Sequence, residues 1–200
     1  VEFPFTVRVA ESTRVLTADV PAAQALELEN RSEAEVALFL DVNGRLYPGA
    51  IGDIVAKIAA MPDATPQERF EHKAWRALST DTWRGWTVTS SAWPHDPAVL
   101  LNSLGFAYCD DVATALALLV RAAGGQARVW TLGGHVVPEV WVGDHWSVFD
   151  PDAGAIYYDA SGRAAGVEEL AAEPALVTAP PAAEQIEKIG GATPFVQEVA

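Results

Sequence analysis

The chain has 200 residues, half of them hydrophobic and a fifth charged, which suits one soluble globular domain or one domain with a small appendage. A formal net charge of −14 with no basic stripe excludes a nucleic-acid partner held through phosphate neutralisation, and no apolar run approaches the ~20 residues of a membrane span. A single cysteine, Cys109, excludes an intrachain disulfide framework and a thiolate zinc cage. The chain opens at Val1 without a signal-peptide pattern, as either a processed secreted protein or a piece of a longer chain would, so compartment and oligomeric state stay open.

Residues 1–48 read as a β-rich segment, with strand-like runs at 3–9, 13–19, 25–29 and 36–42 separated by turn residues, Asn43 and Gly44 among them. Helical spacing of Ile51, Ile54, Val55, Ile58 and Ala59 predicts a helix over 51–61. Thr65 as N-cap, Pro66 at the first position and Glu68 as capping-box acid predict a second helix from there to about 78. Trp75, Trp83, Trp86 and Trp93 crowd the stretch that follows, as packing or as the wall of a cleft, with Trp93 the favoured cleft residue. Asp96 and Pro97 start a short helix ending near Asn102, and 102–108 is a loop in which Gly105 relieves the backbone.

The run from Cys109 to Ala123 places Val112, Leu116, Leu119 and Val120 on one face and stops at Gly124 and Gly125, so Cys109 sits at a helix start. Free N–H groups and the positive helix end favour a nucleophilic thiolate there. Asp110 and Asp111 oppose this with negative charge, so a partner cation is required. Strands over 127–132, 136–142 and 145–149 form a small antiparallel sheet on which the Cys109 helix packs, with Gly143 and Asp144 as a two-residue hairpin turn. If Val142 pairs with His145, Asp150 falls opposite Val137, diagonal to His135 at a Cβ separation of roughly 7–8 Å. A carboxylate orienting an imidazole beside a thiol is the logic of cysteine catalysis. In that logic the Cys109 N–H is one oxyanion donor, Asn102, Tyr108 and Trp93 are candidates for the second, and Gly134 lets backbone approach the cleft contents.

His72, His95 and His145 read as surface or packing histidines, and a zinc site from His135, His145 and Asp150 fails because the two rings point to opposite sheet faces. Asp152 and Gly154 resemble the start of a calcium loop but lack its downstream glutamate, so no metal and no cofactor are expected. Further on, 155–158 reads as a strand, 160–163 as a turn and 167–172 as a short helix. Residues 179–200 read as a loosely packed arm, helical over 184–189.

Several of these motifs, Gly105-Phe106-Ala107-Tyr108-Cys109, Leu119-Val120-Arg121, Gly134-His135, Glu139-Val140 and Trp146-Ser147-Val148-Phe149-Asp150-Pro151, resemble the transglutaminase-like superfamily of papain-type cysteine enzymes. The resemblance, which covers roughly 50–176, implies an α+β core over 49–178, flanked by the β segment 1–48 and the arm 179–200 read from the residues. It also implies Cys109 as nucleophile, His135 as base and acid, and Asp150 as orienter. The expected activity is acyl transfer on a peptide, protein or glycopeptide amide, with hydrolysis ahead of cross-linking. The alternative is a catalytically silent binding module that kept the fold, for example for glycan or cell-wall material.

Overall fold

The structure, a computed structural model, describes residues 50–84, 95–101 and 106–186. The expected β segment 1–48 therefore lies outside the described residues, as do Trp86, Trp93, Asn102, Gly105 and everything after 186.

Helix α1 spans Ile51–Ala59 and buries Ile54 and Ile58 completely, as its apolar spacing predicts. Helix α2 spans Phe70–Asp81, several residues later than its N-terminal signals suggested. Thr65 and Pro66 form a turn instead, closed by Glu68 N–H to Thr65 O at 3.1 Å, and Gln67 at φ 58° cannot continue a right-handed helix. Glu68 serves tertiary contacts rather than a capping box. Its carboxylate accepts from the Ala64 N–H at 2.8 Å and from Arg76 Nε and Nη2 at 3.1 and 2.9 Å, and it meets His72 Nδ1 at 2.5 Å. Burial works to raise its pKa, but the Arg76 guanidinium and the other donors outweigh that and hold it at about 2.

Two-residue strands β1 (Trp83–Arg84) and β2 (Phe106–Ala107) pair in parallel on either side of the short helix α3 (Pro97–Val99). Asp96 caps α3 as its sequence predicts, accepting from the Ala98 N–H at 2.8 Å.

Helix α4, Cys109–Ala122, is the centre of the fold, packing on α1 and α2 as well as on the sheet. It is buried nearly all round, and Ala113, Ala115 and Ala117 keep it slim enough for neighbours on several sides. Its end is a Schellman motif: Gly125 N–H reaches Val120 O at 2.9 Å, Gly124 N–H reaches Arg121 O at 3.0 Å, and Gly124 takes φ 87°. The Arg121 guanidinium then donates from Nε to Ala127 O at 2.8 Å, fastening the helix end to the sheet.

Strands β3 (Ala127–Thr131), β4 (Val136–Val142) and β5 (His145–Val148) form the antiparallel sheet, with Val142 opposite His145 and Glu139 opposite Val148. Side-chain alternation gives the sheet two apolar faces. Ala127, Val140 and Phe149 join the helical cluster, whereas Val137 and Val148 join a second cluster with Tyr157, Leu170, Leu176 and Val177. The second cluster is supplied by β6 (Ala155–Tyr158), α5 (Val167–Ala172) and α6 (Ala175–Thr178). Buried Glu139 joins these layers, accepting from Arg128 Nε and Trp130 Nε1, both at 2.6 Å, and from the Val167 N–H at 2.7 Å.

The arm expected after 178 is corrected in its first part. Residues Ala182–Gln185 form strand β7, antiparallel to β6, where a helix over 184–189 was expected. Pro180 and Pro181 bias the chain toward extended backbone, and pairing then satisfies its polar groups. Glu184 adds side-chain contacts to Tyr158 and, at 2.6 Å, to His72 Nε2. None of the helices among the described residues is long and apolar enough to cross a membrane.

Candidate active site

Tyr108 takes extended backbone angles as the N-cap of α4, and Cys109 is the first helical residue, a free thiol that is only partly covered. The chain bends sharply into position at His135. Leu132 N–H donates to His135 O at 2.7 Å, Gly134 N–H donates to Leu132 O at 2.8 Å, and Gly134 holds φ 119°, a conformation open to glycine. The imidazole is thereby set at the mouth of the β3-to-β4 turn, 5% exposed.

Asp150 follows β5 and is fully buried. Its Oδ2 meets His135 Nε2 at 2.7 Å, and its Oδ1 accepts from the Asp152 and Ala153 N–H groups at 2.9 and 3.0 Å. Two backbone bonds to Ala155, at 3.0 and 2.9 Å, and the Trp75 Nε1–H donated to Asp150 O at 2.9 Å fix the main chain. The acid is thus held at both of its oxygens and at its backbone, so the ring it meets has one orientation. With Nε2 on Asp150, Nδ1 is the ring nitrogen left over, and Cys109 is near enough to act on the charge of the ring. Burial lowers the pKa of the ring, but the bonds to Asp150 and Cys109 and the negative charge of both outweigh it, and the value is pushed up to about 10.

Thus the helix start, the glycine turn and the end of the hairpin bring Cys109, His135 and Asp150 together. Gly134 is exposed beside His135, and half-buried Tyr108 stands beside Cys109, its own N–H turned to Asp111 Oδ2 at 3.3 Å. Trp93 and Asn102 lie outside the described residues. Among the described residues Trp75 is the tryptophan in contact with Asp150, where its Nε1–H acts as a brace behind the acid. The helical period of α2 marks Trp75 as buried, but nothing in the order of residues reveals a partner 75 positions away. His145 is engaged elsewhere, with Ser147 Oγ at 3.0 Å and Ala164 O at 3.1 Å. The calcium-like stretch is a tight turn that spends Asp150 Oδ1 on backbone donors and requires Gly154 at φ 63°.

Two residues along the helix from Cys109, Asp111 is also fully buried, and burial pushes its carboxyl above the ordinary range. The Tyr108 N–H pulls against that shift, as does His95, while Asp110 adds to it.

A thiol at the start of a central helix that packs on a small antiparallel sheet, with an imidazole and a carboxylate at the strand ends, defines an α+β chain consistent with a transglutaminase-like core. Residues 57–151, from within α1 to the residue after Asp150, match the family model of the transglutaminase-like superfamily. Comparison with curated proteins and with solved structures gave no match.

Proposed function

We propose that the chain is a cysteine-dependent acyl-transfer enzyme acting on amide bonds, with Cys109 as nucleophile, His135 as acid and base, and Asp150 as orienter. The observation that carries this reading is the buried 2.7 Å contact of His135 Nε2 with Asp150, on a ring whose charge both Asp150 and Cys109 favour. The sulfur attacks the amide carbonyl, a C–S bond forms, and the oxyanion takes the Cys109 N–H, a first-turn group with no intrahelical acceptor. Collapse breaks the C–N bond as His135 gives its proton to the leaving amine. Water then attacks the thioester, His135 takes a proton from it, and the acid departs as the thiolate is released. A second amine in place of water gives cross-linking, and hydrolysis is the outcome we favour. We place the core of this enzyme from near 49 through β7, since that strand pairs with β6.

Alkylation of Cys109 by iodoacetamide at neutral pH tests the reading. Rapid labelling that slows at least about tenfold in His135→Ala is expected, because an imidazolium-paired sulfur reacts faster than an ordinary thiol. Labelling indifferent to His135 would instead favour a binding module that kept the fold. A screen of peptide and glycopeptide amides, with Cys109→Ala as control, then identifies the substrate.

A further inference from the structure

A second polar cluster shares the start of α4 with the sulfur, built from His95 ahead of α3 and from Asp110 and Asp111 in the first turn of α4. One ligand atom from each residue lies within 4.8 Å of the other two. His95 Nε2 is 3.8 Å from Asp110 Oδ2 and 3.7 Å from Asp111 Oδ1. Both separations exceed the roughly 3.2 Å limit of an ordinary N–H···O bond. They fall inside the roughly 4.2 Å that separates two ligands on opposite sides of an ion bound at about 2.1 Å.

Acids in a first helical turn are explained by the helix dipole alone, and half-buried Asp110 needs no more than that. Asp111 does. The residue is fully buried, and although Oδ2 takes the Tyr108 N–H, Oδ1 receives no hydrogen bond and faces the cluster. Buried carboxylate oxygens are almost always met by a donor or a metal. We propose that His95, Asp110 and Asp111 bind a divalent cation of the zinc and cobalt class, with water completing its shell. One imidazole with two carboxylates selects such an ion over calcium or magnesium, which prefer all-oxygen surroundings. Closing onto it asks only for small side-chain rotations, since tetrahedral ligands at this bond length stand about 3.4 Å apart. The ion joins the segment entering α3 to the start of α4 and offsets two negative charges next to Cys109. This last consequence, but not the binding, rests on the acyl-transfer reading.

The test is a cobalt titration of the full chain carrying Cys109→Ser, followed by visible absorption and by displacement with zinc. Removing the thiol keeps it from capturing the ion, and because no turnover is measured the result is independent of whether the chain is an enzyme. Saturable cobalt bands displaced by zinc are expected, as is a rise in the unfolding midpoint with zinc. Affinity should fall tenfold or more when Asp111→Asn or His95→Ala is added. Asparagine keeps the size of Asp111, and should that variant fail to fold, His95→Ala, at a partly exposed position, carries the test. No bands at millimolar cobalt overturns the proposal. So does binding that survives both substitutions, or binding seen only when Cys109 is present and marked by sulfur-to-cobalt charge transfer.

Discussion

His135 stays protonated in the folded chain through the neutral range, because its pKa stands at about 10 against an ordinary 6.5. A raised folded value means that the stability it contributes is fully present below 6.5 and is lost as pH rises through about 10. The free energy of urea unfolding should therefore decline over that window by an amount on the order of a few kcal/mol, and the decline should flatten in His135→Gln. Parallel curves for the two proteins would show that the ring is not charged by its neighbours. At this scale the residue order was informative wherever the partners lie along one hairpin. The pairing of Val142 with His145 sets the offset between His135 and Asp150 through a period of two, so a two-residue turn was enough to relate them. Trp75 and Asp111 were not legible in the same way. Their roles depend on which backbone groups face them after packing, and neither spacing nor residue type records that.

Among the elements, the Asp150-to-β6 turn and the β6–β7 pair are where local signals and tertiary context diverge. Gly154 sits at φ 63° with an added Cβ only 2.3 Å from Ile186 O, while Gly162 has a similar φ of 82° and open space around it. Both glycine-to-alanine changes meet the left-handed penalty of about 1–2 kcal/mol. Gly154→Ala must in addition push β7 away, so it should destabilise more, in an equilibrium urea comparison, than Gly162→Ala. Equal losses would mean that the approach of β7 to the turn is not maintained. The start of α2 shows the same contest. Thr65, Pro66 and Glu68 carry every local cue for a helix start, yet Glu68 is drawn into contacts with Arg76 and His72, and these outweigh a cap worth about 1 kcal/mol. By contrast α4 has no competitor, since its apolar face, its N-cap position and its Gly124–Gly125 end all specify one span.

For the described residues as a whole, β7 extends the packed structure to Gln185 by pairing with β6. Truncation after residue 181 would expose the edge of β6 and remove Glu184 from Tyr158 and His72. Losing a four-residue pairing, with hydrogen bonds worth about 1 kcal/mol each, should cost on the order of 3 kcal/mol or more and lower the thermal midpoint. An unchanged midpoint would return 179–200 to the role of a loose arm. The α+β class, the central helix, the three-stranded sheet and the likeness to transglutaminase-like proteins were all determined by the residue order, because periodicity, caps and a two-residue turn act over a few positions and need no distant partner. The brace of Trp75 on Asp150, the buried oxygen of Asp111, the late start of α2 and the pairing of β7 were decided only by the tertiary structure. Each depends on a polar group finding or missing a partner far along the chain, and only the packed chain sets which groups meet.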